Sequence, residues 1–336
     1  MTTTSEVSIA NKIRWGILGC GSIAGKFADA LKHVKEAELV AVGSRTEDKA
    51  HAFADTYRVH RRYGNYAKLA EDSDLDIIYI ATPHHLHAET ALLCLRAGKH
   101  VLCEKPLAVN ARQGLDMITC ARKTKRFLME AMWTRFLPLM DKVRRLLAQE
   151  AIGSLHTLTA DFGFRCKPNT QRLIDPHLAG GALLDVGIYP LALSFMIFGK
   201  PLHIHSTAIL GPTGVDEKNA VILTFEHGQL AMLSSAFTVE TTQEAVIIGS
   251  EGMIRLNRPW WRGNTITLVR HGQDPQQIEA PSHQNGFIYE IQAVHHDLAE
   301  GRIENTLMPL DESLSILQTM DTIRKQWGLQ YPFETE

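Results

Sequence analysis

The chain has 336 residues, 45% of them hydrophobic and 21% charged, with a formal net charge of −2. That length and composition suit two globular domains, each able to bury a sizeable core. The near-neutral charge excludes a general attraction to nucleic acid or anionic membrane, and no apolar run in the sequence approaches the ~18–20 residues of a membrane helix.

Met1 to Asn11 is polar and lacks an apolar h-region, so a short disordered lead-in is expected rather than a secretory signal. The first 130 residues alternate short apolar runs with helical patterns. Ile13–Leu18 is a strand candidate, followed by a glycine turn and a helix through about His33. Leu39–Val42 is a second strand, and Thr46–Tyr57 is helical. Asp76–Ala81 is a near-continuous apolar run, as in a strand covered on both faces. A helix over about His87–Ala97, the strand His100–Cys103, a helix after Asn110 and the strand Phe127–Met129 complete the series. Such alternation predicts a parallel, doubly wound sheet with right-handed crossovers.

The rhythm changes after about residue 150. Leu155–Ala160, Ala220–Phe225, Gln229–Leu233 and Glu244–Ile248 alternate in the manner of strands, and turn residues separate them, as expected of antiparallel hairpins. Helical stretches recur at about 187–199, 286–300 and 311–326. The predicted fold class is therefore an α/β Rossmann domain over 12–132, followed by an α+β domain over 133–336. Five cysteines (Cys20, Cys94, Cys103, Cys120 and Cys166) form no Cys-x-x-Cys, and their odd number suits reduced thiols in the cytoplasm.

Gly19-Cys20-Gly21-Ser22-Ile23-Ala24 matches G-x-G-x-x-G/A directly after a strand and at the start of a helix. Gly19 permits the tight turn, Gly21 lets backbone approach a pyrophosphate, and Ala24 allows close helix–strand packing. The helix N-terminus supplies free N–H groups and a positive dipole end. At the tip of the second strand, where an NAD enzyme usually carries a carboxylate, Val42-Gly43 runs into Ser44-Arg45. The Arg45 guanidinium and the Ser44 hydroxyl suit a 2′-phosphate, so NADP(H) is the expected cofactor, with NAD(H) as the alternative. A solvated surface arginine is the other reading of Arg45.

Gly19–Ala24, Ala81-Thr82-Pro83, His87, Glu104-Lys105-Pro106 and Gly180–Tyr189 stand in an order and at spacings that resemble the glucose-fructose oxidoreductase / inositol dehydrogenase / rhizopine catabolism (Gfo/Idh/MocA) family. Met129–Phe136 narrows the resemblance to the branch with dimeric trans-1,2-dihydrobenzene-1,2-diol dehydrogenase and NADP-dependent D-xylose 1-dehydrogenase. The resemblance implies a Rossmann domain plus a C-terminal domain built on a large, open, mainly antiparallel sheet. It implies a sugar, polyol or cyclic diol substrate between the two domains, and a homodimer through the outer face of the sheet. It also implies Lys105, Asp185 and Tyr189 as the catalytic groups.

Those residue types suit the chemistry. Alcohol oxidation by hydride transfer needs a base for the hydroxyl proton, and carbonyl reduction needs an acid. A free tyrosine has a pKa near 10, and a cation such as Lys105 beside Tyr189 is expected to lower it. Asp185 and Tyr189 stand at i, i+4, on one face of a helix start, and Gly180-Gly181 before them would let backbone approach a ligand. Taken singly, Tyr189 suits a half-buried tyrosine, Lys105 a partner of Glu104, and Asp185 a helix cap; only their combination with the glycine turn points to catalysis. Thr82, Pro83, His87 and Glu104 are expected to contact or support the cofactor. Trp133, Phe164, Arg135 and Arg172 are expected to shape the substrate pocket, with core packing and surface pairing as the alternatives. His84, His85 and His87 share one corner without a carboxylate or thiolate to complete a metal site, and none is expected. Trp260 and Trp261 are expected in the core or an interface. The other readings consistent with these features are a sensor that binds NADP(H) without turnover and a glycosidase-like or dehydratase activity that uses the nicotinamide transiently.

Overall fold

The computed structural model describes residues 12–167 and 170–334; the lead-in Met1–Asn11 lies outside them. The first sheet is built from β1 (Ile13–Leu18), β2 (Ala37–Gly43), β3 (Arg61–Tyr63), β4 (Ile77–Ile80), β5 (His100–Glu104) and β6 (Leu128–Ala131). All neighbours are parallel, in the order β3-β2-β1-β4-β5-β6. Between them run α1 (Ser22–Leu31), α2 (Glu47–Tyr57), α3 (Tyr66–Ala70), α4 (His87–Arg96) and α5 (Ala111–Thr124). Every residue of β4, Ile-Ile-Tyr-Ile, is buried, which is why its sequence shows no alternation. Tyr79 of β4 stacks on Phe27 of α1 with centroids 3.7 Å apart, fixing the helix over the sheet. The order reverses between β1 and β4, so the carboxyl ends of these two strands open a crevice.

The periodicity does not foresee β3 and α3. β3 is a three-residue edge strand of two arginines and a tyrosine, with no buried residue to carry a pattern. α3 is one short turn capped by the Asn65 side chain, which accepts from the Ala67 and Lys68 N–H groups.

The second half begins with α6 (Pro138–Ala148), β7 (Leu155–Gly163), the short α7 (Gln171–Ile174) and α8 (Ile188–Phe198). It continues with β8 (His203–Leu210), β9 (Asp216–Thr224), β10 (Leu230–Ala236), β11 (Ala245–Gly249), β12 (Gly252–Leu256), β13 (Thr265–Arg270) and β14 (Gln276–Glu279), then α9 (Phe287–Ala299) and α10 (Leu310–Trp327). Eight strands pair in the order β14-β13-β12-β11-β7-β10-β9-β8, all antiparallel except β7 with β10. α8 and α10 cover one face. The other face exposes Ile209, Ile222, Leu230, Met232, Val239 and Ile248.

Two expectations need correcting. Against the expectation that no segment is long and apolar enough, the helical stretch Pro176–Phe198 is, by length and a mean hydropathy of 1.8, apolar enough to cross a membrane. Its most apolar 18-residue window is 83% buried inside the protein, and α8 packs on β7 and β10, so it serves as a core element against the second sheet. The helix expected from 187 also begins earlier, with a π-helical turn over Leu183–Gly187 that leads into α8. Asp185 therefore sits on the wider turn and Tyr189 on the helix proper.

The last two helices return to the first sheet. α9 packs on α1, where Phe287 meets Phe27, and the Trp15 indole N–H donates to His295 Nε2 at 3.0 Å. α10 packs on α5, and the Leu128 N–H donates to Ile303 O at 3.1 Å.

Candidate active site

A cavity of about 460 Å³ runs along the carboxyl edge of the parallel sheet, within the usual range for ligand sites. The β1–α1 turn forms its floor. Gly19 has φ +101°, and a Cβ there would lie 2.5 Å from the Ala81 carbonyl oxygen, so only glycine is accommodated. Nothing lies within 4 Å of a Cβ placed on Gly21, whose backbone is open to the cavity. Ser22 and Ile23 line the same floor, and Ala24 is fully buried between α1 and the sheet. α1 has no side-chain cap and no acidic residue in its first turn, whereas the side chain of Asn110 caps α5 and Glu47 and Asp48 occupy the first turn of α2. Its free N–H groups suit an anionic pyrophosphate.

One end of the cavity is lined by Ser44, Arg45, Lys49 and Tyr66. Thr82 and Pro83, after β4, form the wall; the Thr82 hydroxyl is buried there without a hydrogen-bond partner among the described residues. An orphaned hydroxyl, open glycine backbone, an uncapped helix N-terminus and a basic end together match a dinucleotide. His87 lies beneath this wall. Its ring nitrogens are 2.7 Å from the Pro106 carbonyl oxygen and 2.9 Å from that of Thr82, so the ring packs between the two loops and its single N–H donates to one of the two carbonyls. Burial pushes its pKa down to about 4.

The other end gathers Glu104, Lys105, Arg172, Asp185, Tyr189 and His84. Glu104 accepts from the Tyr79 hydroxyl and from the Lys105 backbone N–H at 3.2 Å. Burial raises the pKa of its carboxyl, with Lys105 opposing. Lys105 Nζ donates to the Asp185 carbonyl oxygen at 2.6 Å, lies 3.7 Å from Asp185 Oδ1, and stands 4.9 Å from the centroid of the Tyr189 ring. Burial works against the ammonium, but Tyr189, Asp185 and Glu104 outweigh it and hold its pKa above the ordinary value. Arg172 grips Asp185 through Nη1–Oδ1 at 2.8 Å and Nη2–Oδ2 at 3.4 Å. Burial alone would raise the pKa of the Asp185 carboxyl; Lys105 and Arg172 overcome that and keep it ionised, well below the usual carboxylate range.

The expectation for Tyr189 is reversed in its net sign. Lys105 does pull its pKa down, but burial is the larger effect and leaves it above 10. The Tyr189 oxygen also accepts from the Trp133 indole N–H at 3.2 Å. Trp133 thus supports Tyr189 and stacks toward Phe287, rather than lining the cavity as a platform for substrate.

Arg135 is a correction. Its buried guanidinium bonds to the carbonyls of Leu307 and Ala192 and to Glu312, tying α8 to α10, and does not reach the cavity. Phe164 also lies outside the lining residues, in edge contact with Phe162. Phe162 is the aromatic near Tyr189, at 5.3 Å, and Trp261 stacks on it at 3.4 Å. Trp260 is buried, its N–H on the Asp161 carbonyl. Gly180 and Gly181 admit protein, not ligand: a Cβ on Gly180 would meet Leu173 O at 2.6 Å, and one on Gly181 would strike Asp216 Oδ1. No cluster of three or more His, Cys, Asp or Glu that would hold a metal occurs among the described residues.

The sequence reading missed Cys20, Lys26, Lys49, Tyr66 and His84 along the cavity. Lys49 follows Arg45 by four residues at the start of a helix, a legible spacing; Tyr66 comes from the unforeseen α3.

Comparison with known proteins agrees with this fold. Residues 13–132 match the oxidoreductase family with an NAD-binding Rossmann fold, and residues 140–255 match the GFO/IDH/MocA C-terminal domain. Trans-1,2-dihydrobenzene-1,2-diol dehydrogenase of Xenopus tropicalis is 35% identical over 331 residues, covering 95% of this chain and 99% of that protein. This chain belongs to the Gfo/Idh/MocA oxidoreductase family. The human trans-1,2-dihydrobenzene-1,2-diol dehydrogenase is likewise 35% identical over 329 residues, covering 95% of this chain and 98% of its own. Among solved family structures, KijD10, a 3-ketoreductase from Actinomadura kijaniata in complex with NADP and TDP-benzene, superposes with a TM-score of 0.86 at 28% identity, covering 94% of this chain and 98% of that one. The aldose-aldose oxidoreductase from Caulobacter crescentus complexed with glycerol gives 0.86 at 26% identity, covering 95% and 99%.

Proposed function

We propose that this protein is a cytoplasmic NADP-dependent dehydrogenase or reductase that acts on a CH–OH group of a sugar, polyol or cyclic trans-diol. The observation that carries the reading is a single cavity with Ser44, Arg45 and Lys49 at one end and Lys105, Asp185 and Tyr189 at the other. Its relatives by name act on a dihydrodiol, an aldose and a keto group, and one of the solved structures holds NADP. The glycine floor and the α1 N-terminus would hold the pyrophosphate of a bound dinucleotide. Ser44, Arg45 and Lys49 would hold a 2′-phosphate, and Thr82, Pro83 and Glu104 would hold the nicotinamide riboside. The bound nicotinamide supplies the hydride acceptor or donor.

The chain's own residues manage the proton. Lys105 stays protonated, so it is a poor base and acts as a fixed positive charge. Tyr189 is neutral at rest and donates its proton to a carbonyl oxygen in reduction. The resulting phenolate is stabilised by the Lys105 ammonium and the Trp133 N–H. In oxidation the same phenolate takes the hydroxyl proton, which makes this direction the more favourable at alkaline pH. Asp185 holds Lys105 in place and, with Arg172, offers acceptors and donors to substrate hydroxyls. The exposed apolar face of the eight-stranded sheet suits a homodimer. Steady-state rates of wild type and Tyr189→Phe with an aldose, polyol and trans-diol panel test the assignment; wild-type turnover in the variant would sink it.

A further inference from the structure

The turn that delivers Asp185 and Tyr189 to the cavity is gripped from two sides by residues remote in sequence. On one side, Asp216 at the start of β9 accepts from the Leu183 backbone N–H at 2.8 Å, at the first residue of the π-helical turn. The same oxygen accepts from Asn219 Nδ2 at 2.8 Å, and Asn219 Oδ1 in turn accepts from the Ser235 hydroxyl at 3.0 Å, so the carboxylate is locked to β9 and β10. Gly181, at φ +121°, lies so close that a side chain there would strike Asp216 Oδ1. On the other side, the buried Tyr331 hydroxyl donates to the Gly180 carbonyl oxygen at 2.6 Å.

Tyr331 is itself tied to the loop that carries Lys105. Arg324 lies 5.0 Å over the Tyr331 ring and donates to Glu334 at 2.7 Å and to the Val109 carbonyl at 3.4 Å. Glu334 also accepts from the Asn110 side chain at 2.7 Å and from the Tyr331 N–H at 3.0 Å. Val109 and Asn110 close the segment that begins at Lys105. One brace, residues 331–334 with Arg324, therefore touches both the Gly180 turn and the Lys105 loop.

We propose that Asp216 and Tyr331 are positioning residues that fix the Gly180-Gly181 turn so that Asp185 and Tyr189 face Lys105. Neither lines the cavity, so both act through the turn. The inference rests on the reading of Lys105, Asp185 and Tyr189 as the reacting end of the site. A misplacement of about 1 Å at such a centre costs on the order of 10²-fold in rate, and neither residue lies at the glycine floor. A residue that merely stabilised the fold would lower the melting temperature and leave the rate per folded molecule unchanged.

The test uses the full-length protein, NADPH fluorescence titration to count competent sites, and steady-state kinetics on the best panel substrate. Expected for Tyr331→Phe is a fall in kcat of about 5- to 10-fold per NADPH site, the worth of one buried hydrogen bond, with the NADPH affinity within about twofold of wild type. Asp216→Ala loses about 10²-fold in kcat, and Asp216→Asn, which keeps an acceptor for the Leu183 N–H, recovers most of it. Wild-type kcat per site in Tyr331→Phe, or equal losses in Asp216→Ala and Asp216→Asn, overturns the proposal. If Asp216→Ala does not fold, Tyr331→Phe, which removes one oxygen atom, decides alone. Tyr189→Phe run in parallel separates the two readings: full activity there condemns the assignment of the site, while its loss alongside an unaffected Tyr331→Phe condemns only the brace.

Discussion

The pairing of Lys105 with Tyr189 has a magnitude that can be worked from the structure. The ammonium stands 4.9 Å from the ring centroid, and both side chains are largely buried. Unit charges about 5 Å apart at an effective dielectric near 20 interact by ~3 kcal/mol, equivalent to ~10² in rate. Lys105→Met keeps the aliphatic stem and deletes the charge. Its turnover in the oxidative direction is expected to fall ~10²-fold at mildly alkaline pH, and the rising limb of its pH–rate profile to move to higher pH, because the phenolate has lost its counter-charge. Tyr189→Phe is expected to lose about 10²- to 10⁴-fold, the range for a general acid–base group. Because Lys105 acts through the Tyr189 oxygen, the double variant falls little below Tyr189→Phe, giving a coupling of ~10² in the cycle. The assay is the initial rate of reduced-nicotinamide formation across a pH series for all four proteins. Losses that simply multiply, or a Lys105→Met profile whose limb does not move, refute the reasoning.

Arg45→Ala is expected to weaken NADP⁺ binding by about 10- to 100-fold, the worth of a charged hydrogen bond, and to leave NAD⁺ binding unchanged; calorimetric titration with both nucleotides checks it. Glu130 is buried, accepts from the Leu107 N–H at 3.0 Å, and is pushed up by burial to about 7 from an ordinary 4.5. The folded protein therefore holds this proton more tightly than the unfolded chain does. Its contribution is fully present below pH 4.5, declines toward pH 7 and is flat above. Glu130→Gln is expected to abolish that decline and to gain up to about 3 kcal/mol at alkaline pH, read as the melting temperature on either side of the window. The homodimer proposed through the exposed sheet face is expected to give way to a monomer in analytical ultracentrifugation when Ile222→Glu with Met232→Lys places charges there, with a melting temperature unchanged by calorimetry.

Much of the fold is legible because its signals are local. β4 is buried on both faces and reads as an unbroken apolar run, and β1 leads straight into a glycine turn whose backbone angle at Gly19 admits no other residue. β3 is not legible, since a short arginine-rich edge strand buries nothing. The site is legible where a residue's place follows from its type and from local geometry: Gly21, Arg45 and Lys105 all line the cavity. It is illegible where the role depends on what lies across the fold. Arg135 looks like a substrate residue until α10 brings Glu312 and Leu307 to it. Gly180 and Gly181 suggest a ligand until β9 and the last turn supply Asp216 and Tyr331. Trp133 is a partner of Tyr189, a contact spanning 56 residues that no spacing rule reveals.

The most direct test of the account is the absorbance of reduced nicotinamide formed by the purified protein with NADP⁺, and separately with NAD⁺, over a panel of aldoses, myo-inositol and trans-dihydrodiols. The account predicts steady formation with NADP⁺ and at least one member of the panel, slower formation with NAD⁺, and none from Tyr189→Phe. A flat trace from a protein that still binds NADPH would contradict it and favour a sensor of the cofactor.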